Sequence, residues 1–182
     1  HMGQVQHGKI FDFVKMAKAI VDPNVGMTLL ISFIYNFAFG MFIFAFQPFS
    51  VKIMHLSANQ IAAVFTVFGV VGLITQVALL HRVTKKFGEK KVFRGAVLVA
   101  AFAFAGYFFI HSFFLYIAIA IITGLANSFV GPLIQTILSR ETDEKSQGSI
   151  QGLNASYISI GSIIGPIIAG VLATYFIPLP FL

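Results

Sequence analysis

Read by polarity, the 182-residue chain resolves into five long apolar runs separated by short polar breaks. The runs cover residues 27–47, 59–80, 92–110, 114–138 and 149–175. Each exceeds the roughly 18 residues that mark a membrane-spanning candidate, since about 20 residues at 1.5 Å each cross a hydrocarbon core about 30 Å thick. A different pattern precedes them. Ile10, Phe13, Val14, Ala17, Ile20 and Val21 fall at helical spacing, with Lys9, Asp12, Lys15 and Asp22 between them. Over residues 9–24 this predicts a basic amphipathic helix in the membrane interface, ended by Asp22-Pro23-Asn24; a short soluble linker helix is the alternative. His1-Met2 reads as the remnant of a cleaved tag, and residues 1–8 as remnant and linker outside the fold. The last seven residues, 176–182, stay apolar around Pro178 and Pro180 and read as a connector and the start of a further helix.

Composition argues against a soluble protein as a whole. Hydrophobic residues make up 58% of the chain, charged residues 10%, and mean hydropathy is +0.91. Soluble domains carry about 25% charged residues. The predicted fold class is an all-α integral membrane protein: a polytopic bundle of five spans over residues 25–175, with the amphipathic helix in front. There is no Cys, so disulfides and thiolate metal sites are excluded.

The net charge of +6 raises the question of nucleic acid, and the placement of the charges answers it. Lys9, Lys15 and Lys18 precede the first run. Arg82, Lys85, Lys86, Lys90, Lys91 and Arg94 surround the break between the second and third, and Arg140 and Lys145 lie between the fourth and fifth. Of the twelve basic residues only Lys52 falls on the other side. The positive-inside rule makes the rich side cytoplasmic, with the N-terminus inside. The basicity is a topology signal, and no nucleic-acid partner is expected; membrane lipid is.

The fifth run is distinguished by small residues at helical spacing: Gly148, Gly152, Ser156 and Ser159, then Gly161, Gly165 and Ala169, with Pro166 beside them. In lipid, such rows let helix backbones approach closely, and a proline is tolerated where neighbours satisfy the freed carbonyl. Packing is the first reading of these positions. The second is gating, because a bendable helix helps one bundle rock against another.

A family resemblance rests on two stretches. Lys85-Lys86-Phe87-Gly88-Glu89-Lys90-Lys91 resembles the second-half copy of the loop motif of the major facilitator superfamily. Residues 124–170, with Gly148 and Gly152, Ser156 and Ser159, and Gly165-Pro166, resemble the tenth helix, short loop and eleventh helix of its bacterial drug antiporters, including tetracycline-efflux proteins. The likeness runs to Tyr175 and implies helices seven to eleven of a twelve-helix transporter, in the C-terminal half. The loop departs from the motif: Lys85 stands nearest the usual acidic residue and His81 where the first glycine sits. The resemblance therefore carries no charge-relay role into the loop residues Arg82, Lys85, Lys86, Gly88, Lys90 and Lys91.

What the resemblance implies for function is a part of a secondary active transporter of the bacterial inner membrane. It would move small hydrophobic or amphipathic molecules, in the manner of drug efflux, by ion-coupled alternating access. Asn36 and Asn127, near the middle of their spans, are then the leading substrate-contact candidates, followed by Asn154, Tyr157 and Gln76. Interhelical hydrogen bonding without any ligand is the alternative for each. No acidic or basic residue lies in the interior of a span, so a coupling carboxylate is expected elsewhere in the protein. The missing N-terminal half, or a partner chain supplying it, is an expected partner, and the chain alone is expected not to transport. A self-associating module, forming a homo-oligomeric pore or scaffold, is the rival reading. His55, His81 and His111 stand too far apart for a metal site, no cofactor is expected, and no nucleophile–base pairing points to an enzyme.

Overall fold

The computed structural model describes residues 18–181. Residues 1–17, which include the expected tag remnant and most of the expected amphipathic segment, lie outside the described residues. Residues 18–20 are helical, and a turn follows. In that turn Asp22 Oδ1 accepts the Asn24 N–H at 2.8 Å and the Val25 N–H at 3.4 Å, an Asx-type bend that directs the chain into the first span.

Five helices come next: α1 (Gly26–Ile53), α2 (Ala58–Phe87), α3 (Glu89–Phe109), α4 (Phe113–Glu141) and α5 (Gln147–Tyr175). No strand occurs among the described residues. All five are long and apolar enough to cross a bilayer, with mean hydropathy of 1.8 to 2.2 over an 18-residue window. Helices alone satisfy every backbone group within the segment, which is what hydrocarbon requires. The chain is thus the all-α, multi-pass membrane bundle expected, one helix to each apolar run.

Helix ends differ from the ends of the apolar runs. The second run stops at residue 80, yet α2 continues through the amphipathic segment Leu80–Phe87, which carries Arg82, Lys85 and Lys86. Apolar composition marks where hydrocarbon contact ends, whereas helical hydrogen bonding persists while long basic side chains reach the headgroups. The break between the second and third runs, residues 81–91, is therefore helical except at Gly88. Its φ of 83° joins two helices across one residue, a conformation that costs glycine little. At the opposite end α1 runs on to Ile53, its last turn widened to π geometry over Phe49–Ile53 just after Pro48. Ser57 and Gln60 cap α2 reciprocally, and the Ser112 hydroxyl caps α4 by accepting the Leu115 N–H.

Helix α4 touches all the others, packing mainly along α3 and α2, whereas α1 packs along α5 and meets α4 and, through aromatic side chains, α3. Helix α2 is the least covered, with only Val64 and Thr75 buried. At the end away from the basic loops, aromatic rings fill the core. Phe42 lies 5.2 Å from Phe104 and 5.0 Å from Tyr107 between ring centroids, and Ser50 shares a hydrogen bond with Tyr116. After α5, Leu179–Phe181 form a 3-10 turn that returns Phe181 to this cluster, 5.2 Å from Phe49 and 5.4 Å from Tyr107.

Candidate functional site

Polar side chains inside the bundle converge on residues 32–36 of α1. Ser32 Oγ donates to Asn154 Oδ1 on α5 at 2.7 Å. Tyr35 OH donates to Asn127 Oδ1 on α4. Asn36 Nδ2 donates to the Ser32 carbonyl at 2.8 Å. One short segment thus ties three helices through neutral hydrogen bonds, in surroundings where an unsatisfied amide costs several kcal/mol (roughly 2–7).

These residues are not equally accessible. Asn154 is fully buried, its amide oxygen is taken by Ser32, and its Nδ2 has no partner among the described residues. Tyr157, nearly one turn on, is buried with its ring edge-on to Phe33 at 6.4 Å. Asn36 and Asn127 are half-buried. Gln76 stands apart: it is exposed on the π turn Thr75–Leu79 of α2 and makes no bond to the others. Gln47 and Gln135 are exposed, and the backbone carbonyl of Gln135 accepts from Gln151 Nε2 at 3.3 Å. The structure therefore gathers Asn36, Asn127, Asn154 and Tyr157 around one stretch of α1 and leaves Gln76 outside it. Chemically such a group recognises by hydrogen bonds and shape; nothing in it is a nucleophile paired with a base.

Ser32 and Tyr35 were missed by reading polar residues one at a time. The available signal was their spacing, since Ser32, Tyr35 and Asn36 lie at i, i+3 and i+4 and share one side of α1.

The glycines of α5 divide into two sets. A Cβ on Gly161 would lie 2.9 Å from the Phe37 nitrogen and 3.0 Å from the Phe33 oxygen, and one on Gly165 would lie 3.0 Å from the Met41 nitrogen. Only hydrogen fits there, so the backbones of α1 and α5 are in direct contact. Pro166 joins this crossing, with its Cδ 3.0 Å from where a Cβ of Gly40 would stand. Gly148 and Gly152 are exposed, and nothing lies within 4 Å of a Cβ built on either.

At the basic end, the loop side chains are drawn together by ion pairs. Lys90 Nζ meets Glu141 Oε1 at 2.7 Å, Arg140 meets Glu89 at 3.0 Å, and Thr28 Oγ1 donates to Glu141 Oε2 at 3.2 Å. The starts of α1 and α3 and the end of α4 are thereby tied at one end of the bundle. His81, Thr84, Lys85, Gly88, Glu89 and Arg140 line a polar recess of about 470 Å³ there. Lys86 lies over the Phe87 ring at 5.2 Å, and Arg82 and Lys91 are exposed. Among the described residues no cluster of His, Asp and Glu is able to hold a metal.

The family model described as Major Facilitator Superfamily matches residues 28–182. The chain is 32% identical over 169 residues to Multidrug resistance protein 1 of Bacillus subtilis, covering 90% of this chain and 42% of that protein. It is 27% identical over 176 residues to Multidrug resistance protein 2 of the same organism, covering 97% of this chain and 44% of that protein. With Tetracycline resistance protein, class C, of Escherichia coli it shares 33% identity over 120 residues, 62% of this chain and 28% of the other. The chain spans less than half the length of these relatives.

Proposed function

The chain belongs to the major facilitator superfamily, and on that premise we propose that it is part of a secondary active transporter that exports small hydrophobic or amphipathic molecules from a bacterial cell. The observation that carries this reading is the alignment of nearly the whole chain with proteins named for multidrug resistance. The half-buried amides of Asn36 and Asn127, held from α1 beside a wholly neutral interior, suit a ligand recognised by shape and a few hydrogen bonds. Alternating access would be driven by an ion bound outside these five spans. The basic end would face the cytoplasm of the inner membrane, with the N-terminus inside.

Because the chain matches less than half the length of its relatives, transport is assigned to the assembled protein. The test is accumulation of a cationic hydrophobic dye in cells producing this chain alone, or this chain joined to the upstream reading frame. The longer protein is expected to lower accumulation and the chain alone to leave it unchanged. Replacing Asn127 by Ala in the longer protein should weaken efflux about two- to tenfold, the worth of one hydrogen bond. Efflux by the chain alone, or none by the longer protein for any amphipathic compound tried, would reject the proposal.

One observation favours a second reading. The open face at Gly148 and Gly152 also suits packing against another copy, as in a homo-oligomeric pore or scaffold. The chain has no cysteine, so a single Gly152→Cys variant reports this cleanly. A defined disulfide dimer with ion conductance would favour self-association over a surface meant for the rest of a transporter.

A further inference from the structure

An apolar groove of about 380 Å³ opens on the bundle where the end of α2 meets α3 and α4. Phe87 forms one wall, Gly95 and Val99 another, and Leu125 and Phe129 the far side, while Lys91 is the single charged residue lining it. Lys91, Gly95 and Val99 lie at i, i+4 and i+8, so one face of α3 runs from a cation at the basic end into hydrocarbon-lined space about 12 Å deeper. Gly95 keeps that path open, since a Cβ there would meet nothing within 4 Å.

From this juxtaposition we infer that the groove is a binding site for one anionic phospholipid, its acyl chain along Gly95 and Val99 and its phosphate at Lys91 and Lys86. The occupant follows from charge and shape together. Lys86 sits beside the mouth, 5.2 Å from the Phe87 ring, and Arg94 is exposed one turn along. No acidic residue lines the groove, and the two nearest the start of α3 and the end of α4 are already engaged, Glu89 with Arg140 and Glu141 with Lys90. A soluble phosphate would use only the mouth, and a zwitterionic lipid would gain little from it. Basic pockets between spans on the cytoplasmic side are where anionic headgroups bind. The inference does not depend on what the assembled protein transports.

The test is native mass spectrometry of the chain released from micelles holding equal amounts of phosphatidylglycerol and phosphatidylcholine. The chain should retain one phosphatidylglycerol in preference, by about fivefold per lysine. The double variant Lys86→Ala, Lys91→Ala should hold the two lipids equally. Gly95→Leu, which fills the groove, should lose tight retention of both with its helical circular dichroism unchanged. Equal retention by the original chain, an undiminished preference in the double-lysine variant, or displacement of the lipid by millimolar inorganic phosphate would each overturn the assignment. Should Gly95→Leu fail to fold, the lysine pair, exposed and outside the packed core, decides alone.

Discussion

The two halves of α5 carry the same spacing of small residues in opposite surroundings. From Gly161 to Ala169 the small positions are buried against α1, with backbone in contact with backbone. At Gly148 and Gly152 the same pattern faces nothing within reach of a Cβ. A row of small residues therefore marks a surface competent for close approach without stating what approaches. In lipid there is no hydrophobic gain from covering such a row, so contact depends on van der Waals fit and hydrogen bonds. The first half does reach α1, through the Ser32–Asn154 bond, but Asn154 is two residues past Gly152 and on another side of the helix, so the open glycines themselves have no interhelical partner.

The sharpest way to break the comparison is one substitution placed in each half. Gly165→Leu drives a side chain into the backbone of α1, which has no flexible end to yield. Overpacking of this kind costs about 1–3 kcal/mol or more. Loss of the monodisperse species on size exclusion in detergent, with a collapsed thermal transition, is expected. Gly148→Leu should leave the transition where it is or raise it by up to about 1 kcal/mol, because glycine is a poor helix residue. If both variants lose the fold, the open half is a packing surface within this chain after all. If neither does, the α1–α5 crossing is looser than its geometry requires.

A smaller effect is expected from the polar link itself. Ser32→Ala leaves the buried Asn154 with both ends of its amide unpaired and should cost about 1–2 kcal/mol. Adding Asn154→Ala should cost little more, since the stranded group is then gone. The coupling in that double-mutant cycle, read from unfolding in mixed micelles, isolates the link; purely additive losses would mean that the bond is not formed in the protein.

How far sequence reaches differs between these features. The five spans were legible because an apolar run of helical length in a chain with 10% charged residues has one physical solution in a bilayer. Helix ends were less so. The stretch from Leu80 to Phe87 is polar in composition and helical in backbone, and composition reports solvent, not hydrogen bonding. At the candidate site the amides stood out singly, but their convergence did not. Tyr35 and Ser32 gain meaning only from α4 and α5 lying on either side of α1, a fact of tertiary packing that no local pattern in α1 carries. Nor does spacing distinguish Gly165 from Gly152; only the neighbour does.

The weakest of the expected effects lies at the basic end and tests a different kind of contact. Lys90 and Arg140 each keep about seven-tenths of their side-chain surface in solvent, while their partners Glu141 and Glu89 are more enclosed. Exposed ion pairs are worth about 0.2–1 kcal/mol, because water already solvates the ends and long side chains lose freedom in pairing. Lys90→Ala should therefore lower stability by no more than about 0.5 kcal/mol at low salt. Glu141→Gln should cost somewhat more, since it weakens the contacts to both Lys90 and Thr28. At 1 M salt, where screening acts over about 3 Å, the deficit of Lys90→Ala should close. That of Ser32→Ala should not, because its partner is buried and neutral. A lysine deficit that persists in salt would mean that Glu141 clamps α1, α3 and α4 as a desolvated charge, and the basic end would then rank with the buried α1–α5 crossing as a structural joint.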